Sequence, residues 1–274
     1  LVEKPITASL DEARQIIEKA SATRKEVLVG HHRRHYGILH KTKQLLNDGA
    51  DVAEAELAAL VDTVPGVSEL AREWSVPFFE TTDSMLKEIA PDGVIVCTPT
   101  EVHLEPVLQS LDAGAHVLVE KPITASLEDA RKIIETSSAT RKQVLVGHHR
   151  RHYGILHKTK QLLQDGALGQ LIAVQGMWTT RKADAYYEPE WRKLRSSGPV
   201  LINLIHEIDT LRYLCGEVKS LSAKVSGEVR NHPKEETAAL VMELENGVLG
   251  TFLLSDVTPT PWTCLLYTSP SPRD

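Results

Sequence analysis

The chain is short of several things that would have fixed its class at once. It has only three cysteines, Cys97, Cys215 and Cys264, and their odd number and wide spacing exclude a disulfide framework or a zinc knuckle. No apolar run approaches the ~20 residues that cross a bilayer. Positive charge is not in excess: Lys and Arg number 31 against 37 Asp and Glu, a formal net charge of −6, so nucleic acid is not an expected partner. A charged-then-apolar leader of the secretory kind is missing as well, and the expectation is a soluble chain in the reducing cytoplasm with no membrane partner. What remains is 274 residues, 42% of them hydrophobic, enough to build one large core or two of ordinary size.

One segment occurs twice. Leu1–Ala50 returns as Leu118–Ala167 with seven substitutions: Asp11/Glu128, Glu12/Asp129, Gln15/Lys132, Lys19/Thr136, Ala20/Ser137, Glu26/Gln143 and Asn47/Gln164. Solenoid repeats run back to back in periods of roughly 20–50 residues. This repeat recurs once, after unrelated sequence, and reads as a duplication or splice with one copy out of place.

Between and after the copies the texture is legible. Ala55–Asp62 is an apolar run ending in an acid, Val67–Trp74 has helical spacing, Val76–Phe79 is a short apolar piece, and Ser84–Ile89 is a short helix. Gly93–Cys97 is a fully apolar strand stopped by Thr98-Pro99; Leu104–Ala113 is a helix closed by Gly114, a natural left-handed cap. His116–Val119 is a strand cut off at Pro122, Ser126 caps a helix through Thr136 with Asp129 in the box position, and Val144–Val146 is a strand. Apolar strands alternating with amphipathic helices predict a parallel sheet covered on both faces. From about Leu168 the pattern changes to strands at Leu171–Trp178, Val218–Val225, Thr237–Leu244 and Val248–Ser255. A turn at Glu245-Asn246-Gly247 joins the last two, and one helix, Leu201–Leu214, interrupts them. The expected class is α/β: a Rossmann-like parallel sheet, then a truncated α+β domain with a mostly antiparallel sheet. The expected segments are the duplicate at 1–50, a dinucleotide-type domain at 51–147, a second domain at 148–263, and a non-native-looking tail at 264–274.

Three stretches, GVIVCTPTEVH (Gly93–His103), AGAHVLVEKPIT (Ala113–Thr124) and GPVLINLIHEIDTLRYLCG (Gly198–Gly216), carry a family likeness. In order and spacing they resemble the strand-turn, Glu-Lys-Pro and His-helix signatures of the Gfo/Idh/MocA family of glucose–fructose oxidoreductase and inositol dehydrogenase. The resemblance implies NAD, with NADP as the variant, and oxidation of a secondary alcohol on a small-molecule sugar, polyol or cyclitol. It also implies that the parent protein is a homo-oligomer. It makes Lys121 and His206 the catalytic pair. Lys121 follows a strand end, where open parallel sheets bind their ligands; the alternative reading is a surface lysine in a turn. His206 and Asp209, three apart, share one helical face and suit a proton relay; the alternative is a surface histidine capped by an acid. Relatives carry aspartate four residues before the histidine. Here Ile202 stands there, with Asn203 beside it as a substrate-binding alternative.

On the cofactor side the expected residues are Thr98, Pro99, Thr100 and His103 after one strand, Glu120 and Lys121 after the next, Asp62 and Arg150. An acid such as Asp62 at a strand end accepts from both ribose hydroxyls and disfavours a 2′-phosphate, though it could equally be a turn cap. Arg151, Trp191 and Arg192 join Asn203 on the expected substrate side; Tyr186 and Tyr187 are either substrate contacts or plain strand residues. In His148-His149-Arg150-Arg151-His152 the arginines would repel a cation, and no metal is expected.

The family's G-x-G-x-x-G is absent from the chain. In its place stands the first copy: Glu26–Val29 as a strand, Gly30–Gly37 (GHHRRHYG) as a loop, Ile38–Leu46 as a helix. Glu26–Val29 is expected beside Ala55–Asp62, and His31, His32 and Arg33 would crowd a pyrophosphate that glycines let approach. Two alternatives therefore stand beside the dehydrogenase reading: a non-catalytic truncated or chimeric product, and a sugar- or nucleotide-binding regulatory module.

Overall fold

Val94 and Val96 are buried on one side of a strand whose next residues, Ile95 and Cys97, are buried on the other, so both faces of this strand are covered. The computed structural model describes residues 27–30, 56–64 and 66–259, and the chain divides into two compact units after Gly154. Ala55 and the segments 1–26, 31–54 and 260–274, including the tail 264–274, lie outside the described residues.

The first unit holds β1 (Val27–Gly30), β2 (Leu57–Val61), α1 (Val67–Glu73), β3 (Phe78–Phe79), α2 (Thr82–Ile89), β4 (Gly93–Val96), α3 (Leu104–Asp112), β5 (His116–Val119), α4 (Leu127–Thr140) and β6 (Val144–Val146). All six strands run parallel in the order β3-β2-β1-β4-β5-β6. This is the strand order of a doubly wound dinucleotide fold, with its reversal beside β1. Val27–Gly30 pairs with β2 on one side and with β4 on the other. Residues of α2, α3 and α4, led by Met85, Leu111 and Ile133, fill one face, while α1 packs Val67 and Leu70 against Leu60, Ile95 and Cys97 on the other.

The helix limits follow local chemistry. Thr81 caps α2 by accepting from the Ser84 amide at 3.2 Å, so that helix starts two residues before the expected Ser84. The Ser126 hydroxyl accepts from the Asp129 amide at 3.1 Å, the cap anticipated from sequence, and donates to the Asp129 carboxylate at 2.8 Å in place of the box's bond to the Ser126 amide. That helix continues past Thr136 to Thr140 and ends with Arg141 in the left-handed region. Gly114 takes φ +86°, the left-handed position that closes α3.

The second unit contains α5 (Gly154–Gln164), β7 (Ala173–Thr179), α6 (Ile205–Cys215), β8 (Val218–Ser226), β9 (Thr237–Leu244) and β10 (Leu249–Ser255). Its sheet has the order β7-β10-β9-β8, antiparallel except where β10 runs parallel to β7. Alternate residues of β9 and β10, among them Leu240, Met242, Phe252 and Leu254, pack with Leu204 and Leu211 from the α6 region. The expected helix Leu201–Leu214 is two pieces, a π-helical turn at Val200–Leu204 followed by α6. No helix among the described residues is long and apolar enough to cross a membrane.

Candidate active site

In the first unit the expected residues gather where β4 and β5 end. Pairing carries on past both strands: the Glu120 amide donates to the Val96 carbonyl at 2.9 Å, which brings the turn beginning at Thr98 beside Glu120, Lys121 and the cis Lys121–Pro122 bond. Glu120 and Lys121 are both buried. The Glu120 carboxylate lies against Gly147 at the end of β6, where a Cβ would meet Oε1 at 3.0 Å. A larger residue at 147 would push that carboxylate out of place. The Thr98 hydroxyl oxygen is buried and has no hydrogen-bond partner among the described residues, whereas Thr100 begins a short 3-10 turn.

His103 does something other than the cofactor contact expected of it. Only 1% exposed, its ring faces three backbone carbonyls: Nε2 to Thr98 at 2.7 Å, and Nδ1 to Pro122 at 3.0 Å and Ile123 at 3.2 Å. A side chain so enclosed is in contact with protein on all sides. Burial lowers its pKa, against the opposing pull of these carbonyls and of Glu120. Cys97, next to this turn, is pushed up to about 12 by burial, which removes it as a nucleophile.

Asp62 follows β2, and one of its oxygens accepts from the Val64 amide at 2.8 Å, so the carboxylate caps its turn. Cap and ribose contact were both open from the sequence; the geometry supplies the cap. Arg150 and Arg151 sit on a 3-10 turn at His149–His152, half-buried, after β6. His149 stands against the Tyr153 ring and titrates at about 4, depressed by burial first and then by Arg150 and Lys121.

In the second unit His206 and Asp209 are both buried, so the surface-histidine alternative fails. The π-turn that leads into them changes how their neighbours are counted. Bonding of the i→i+5 type winds the backbone more widely than an α-helix, so four residues of sequence no longer mean one face. Asn203 in that turn accepts from Lys182 Nζ at 2.9 Å. The turn's start is also anchored: Glu235 accepts from the Val200 amide at 2.9 Å, and its carboxylate occupies the place a Cβ on Gly198 would take. The glycine of the Gly198-Pro199 motif makes room for that acid.

Lys182 leads to a cluster that has no signature in the sequence. Asp256, fully buried just after β10, accepts from the Tyr187 hydroxyl at 2.6 Å and from Lys234 at 3.0 Å, with Lys182 at 3.7 Å and Arg230 at 3.5 Å. Two hydrogen bonds and two longer ion pairs, from the segments 182–187 and 230–234, converge on one carboxylate, and nothing in their spacing foretells it. Tyr186 and Tyr187 lie in a 3-10 turn, Asp184–Tyr187, and are not strand residues. A cavity of about 370 Å³ beside them is lined by Asp184, Tyr187, Glu188, Lys193, Arg230 and His232. Arg192, expected on the substrate side, is buried, donates to the Tyr186 carbonyl and stacks at 4.4 Å over the Tyr186 ring. Its guanidinium holds the loop together; Trp191 beside it is half-buried.

Comparison with known proteins places this arrangement. A family model described as the oxidoreductase family with an NAD-binding Rossmann fold matches residues 34–148, and the GFO/IDH/MocA C-terminal domain model matches residues 156–269. The scyllo-inositol 2-dehydrogenase (NAD(+)) of Bacillus subtilis is 30% identical over 218 residues, 76% of this chain and 62% of that protein. The 2,7-anhydro-N-acetylneuraminate hydratase of Escherichia coli is 24% identical over 206 residues, 72% of this chain and 54% of that protein. Among solved structures, the WlbA dehydrogenase of Bordetella pertussis, in complex with NADH and UDP-GlcNAcA, superposes with a TM-score of 0.77 at 22% identity, covering 85% of this chain and 72% of that one. The chain spans about half the length of the curated relatives it matches. With both family models matched in sequence order over most of its residues, the chain belongs to the Gfo/Idh/MocA oxidoreductase family.

Proposed function

We propose that this chain carries the scaffold of an NAD-dependent oxidoreductase that converts a secondary alcohol of a sugar, polyol or cyclitol to a ketone. The observation behind the reading is the buried Thr98 hydroxyl together with buried Glu120 and Lys121 at the C-terminal ends of adjacent parallel strands, where such sheets bind dinucleotides. The buried, unpartnered Thr98 hydroxyl is a group a cofactor hydroxyl or amide would satisfy, and the residues on this side fit the nicotinamide ribose. Asp62 would serve the other ribose and favour NAD over NADP, with Arg150 near cofactor oxygens. When bound, NAD accepts the hydride. Lys121 hydrogen-bonds the reacting oxygen and lowers its proton affinity, His206 takes the hydroxyl proton, and Asp209 supports the resulting imidazolium. Arg151, Trp191 and Asn203 contact the substrate, with Lys182 fixing the Asn203 amide.

A second reading has its own support. After β1 the sequence continues with His31, His32 and Arg33 where the family has glycines, and β1 itself belongs to the first copy; the chain is then a chimeric or truncated product retaining the scaffold without activity. A fluorescence titration with NADH, followed by a panel of polyols assayed for NAD reduction, separates the two. Saturable binding with turnover lost in Lys121→Met and His206→Asn supports the dehydrogenase. Absence of binding in the chain as it stands, restored when a G-x-G-x-x-G loop replaces residues 30–37, supports the chimera. Saturable binding with no oxidation of any polyol supports a binding module.

Self-association belongs to the same proposal. One face of the second sheet leaves Met177, Val241, Leu249 and Leu253 at 43–61% exposure, an apolar surface suited to a second copy of this chain.

A further inference from the structure

We infer that His103 is a positioning residue: its ring tethers the turn after β4 to the turn after β5, and through the second turn it holds Lys121 in its buried place. The residue immediately precedes α3, and its ring reaches both turns at once: Thr98 through Nε2, Pro122 and Ile123 through Nδ1. Pro122 and Ile123 directly follow Lys121 in the chain. Backbone pairing links the two strands only as far as Glu120, whose amide reaches Val96. Beyond it the backbone turns away at the cis Lys121–Pro122 bond, and proline contributes no amide hydrogen. The imidazole supplies the bond that the proline cannot. Its burial at 1% exposure keeps water from competing for the same carbonyls.

All three partners are acceptors. A neutral ring has one N–H, and the Nδ1–H form is the one that joins the turns: it donates to Pro122 or Ile123, while the backbone of His103 already belongs to the segment that runs on from Thr98. Burial lowers the ring's pKa more than the carbonyls and Glu120 raise it, so the ring is neutral near pH 7. The ring's identity matters for a second reason: a smaller residue leaves a cavity between the turns and unserved carbonyls inside it. With the grip gone, Lys121 loses its enclosure and its Nζ meets solvent.

The consequence for catalysis rests on the role proposed above for Lys121; the tether does not, and its test needs neither cofactor nor substrate. The full chain is treated with a limiting amine-acylating reagent, and the rate at Lys121 is read by peptide mass spectrometry. His103→Ala should raise that rate several-fold. His103→Gln, whose amide can still donate to a carbonyl, should return it most of the way. Ser126→Ala, which loosens the neighbouring helix α4 without touching the ring, is the control for general destabilisation. Equal Lys121 rates in wild type and His103→Ala, or a rise matched by Ser126→Ala at the same loss of stability, would overturn the tether. Should His103→Ala not fold, the wild-type ring still decides. Long-range 1H–15N spectra should show a protonated Nδ1 whose hydrogen is protected from solvent exchange; rapid exchange, or a neutral ring protonated only at Nε2, refutes the bond.

Discussion

Tyr187 concentrates much of what single side chains do in the second unit. Its hydroxyl donates to fully buried Asp256, and the cations of Arg230 and Lys234 lie 4.6 and 4.9 Å from its ring centroid. Replacing it with Phe leaves one carboxylate oxygen with fewer donors, at a cost of about 1–3 kcal/mol in denaturant unfolding. The same bond carries a pH signature. Burial, and then the Asp256 carboxylate, hold this phenol above its ordinary value of 10.0, so the fold keeps a proton that the unfolded chain releases. The stabilisation is complete below about pH 10 and is lost as pH rises further; Tyr187→Phe should flatten the alkaline limb of a pH–stability curve. His149 works in the other direction. With a folded pKa of about 4 against 6.5 unfolded, it contributes stability that is present above pH 6.5 and lost on acidification toward pH 4. His149→Gln should therefore reduce the fall in melting temperature between those two values, and an unchanged fall would count against burial as the cause.

At the scale of elements, the first unit is governed by its strand ends and helix starts. The Ser126 hydroxyl accepts from the Asp129 amide at the start of α4 and donates to the Asp129 carboxylate. Ser126→Ala should cost about 1 kcal/mol, measured as a shift of the urea midpoint at constant slope. That helix was visible in the sequence because a cap, a box acid and an apolar period agree over one short window. The π-turn at Val200–Leu204 was not: local spacing carries no mark of it, and its first amide goes to Glu235, 35 residues on. Local spacing reads Leu201–Leu214 as one helix, and on that reading Ile202 occupies the place of an aspartate. The wider turn makes the count unreliable and gives the polar contact to Asn203.

At the scale of the whole chain, two sheets of opposite habit divide the work. The parallel one buries both faces and presents its strand ends; the other buries one face and leaves Met177, Val241, Leu249 and Leu253 outside. If that outer face joins two copies, Leu253→Glu should shift the mass measured by light scattering toward the monomer while leaving the circular dichroism unchanged. A wild-type chain that is monomeric at every concentration would end that proposal.

The sequence by itself determined the order of strands and helices, the change of texture near Leu168, the capped start of α4, and the positions of Lys121 and His206. Each of these is written in periodicity, in a cap or a breaker, or in a motif confined to a dozen residues or so. Only the tertiary structure decided what His103 and Arg192 touch, which donors surround Asp256, and where the helix before His206 changes its winding. Most of those outcomes depend on groups far apart in the chain meeting in buried places, where a polar atom must find whichever partner the packing brings to it.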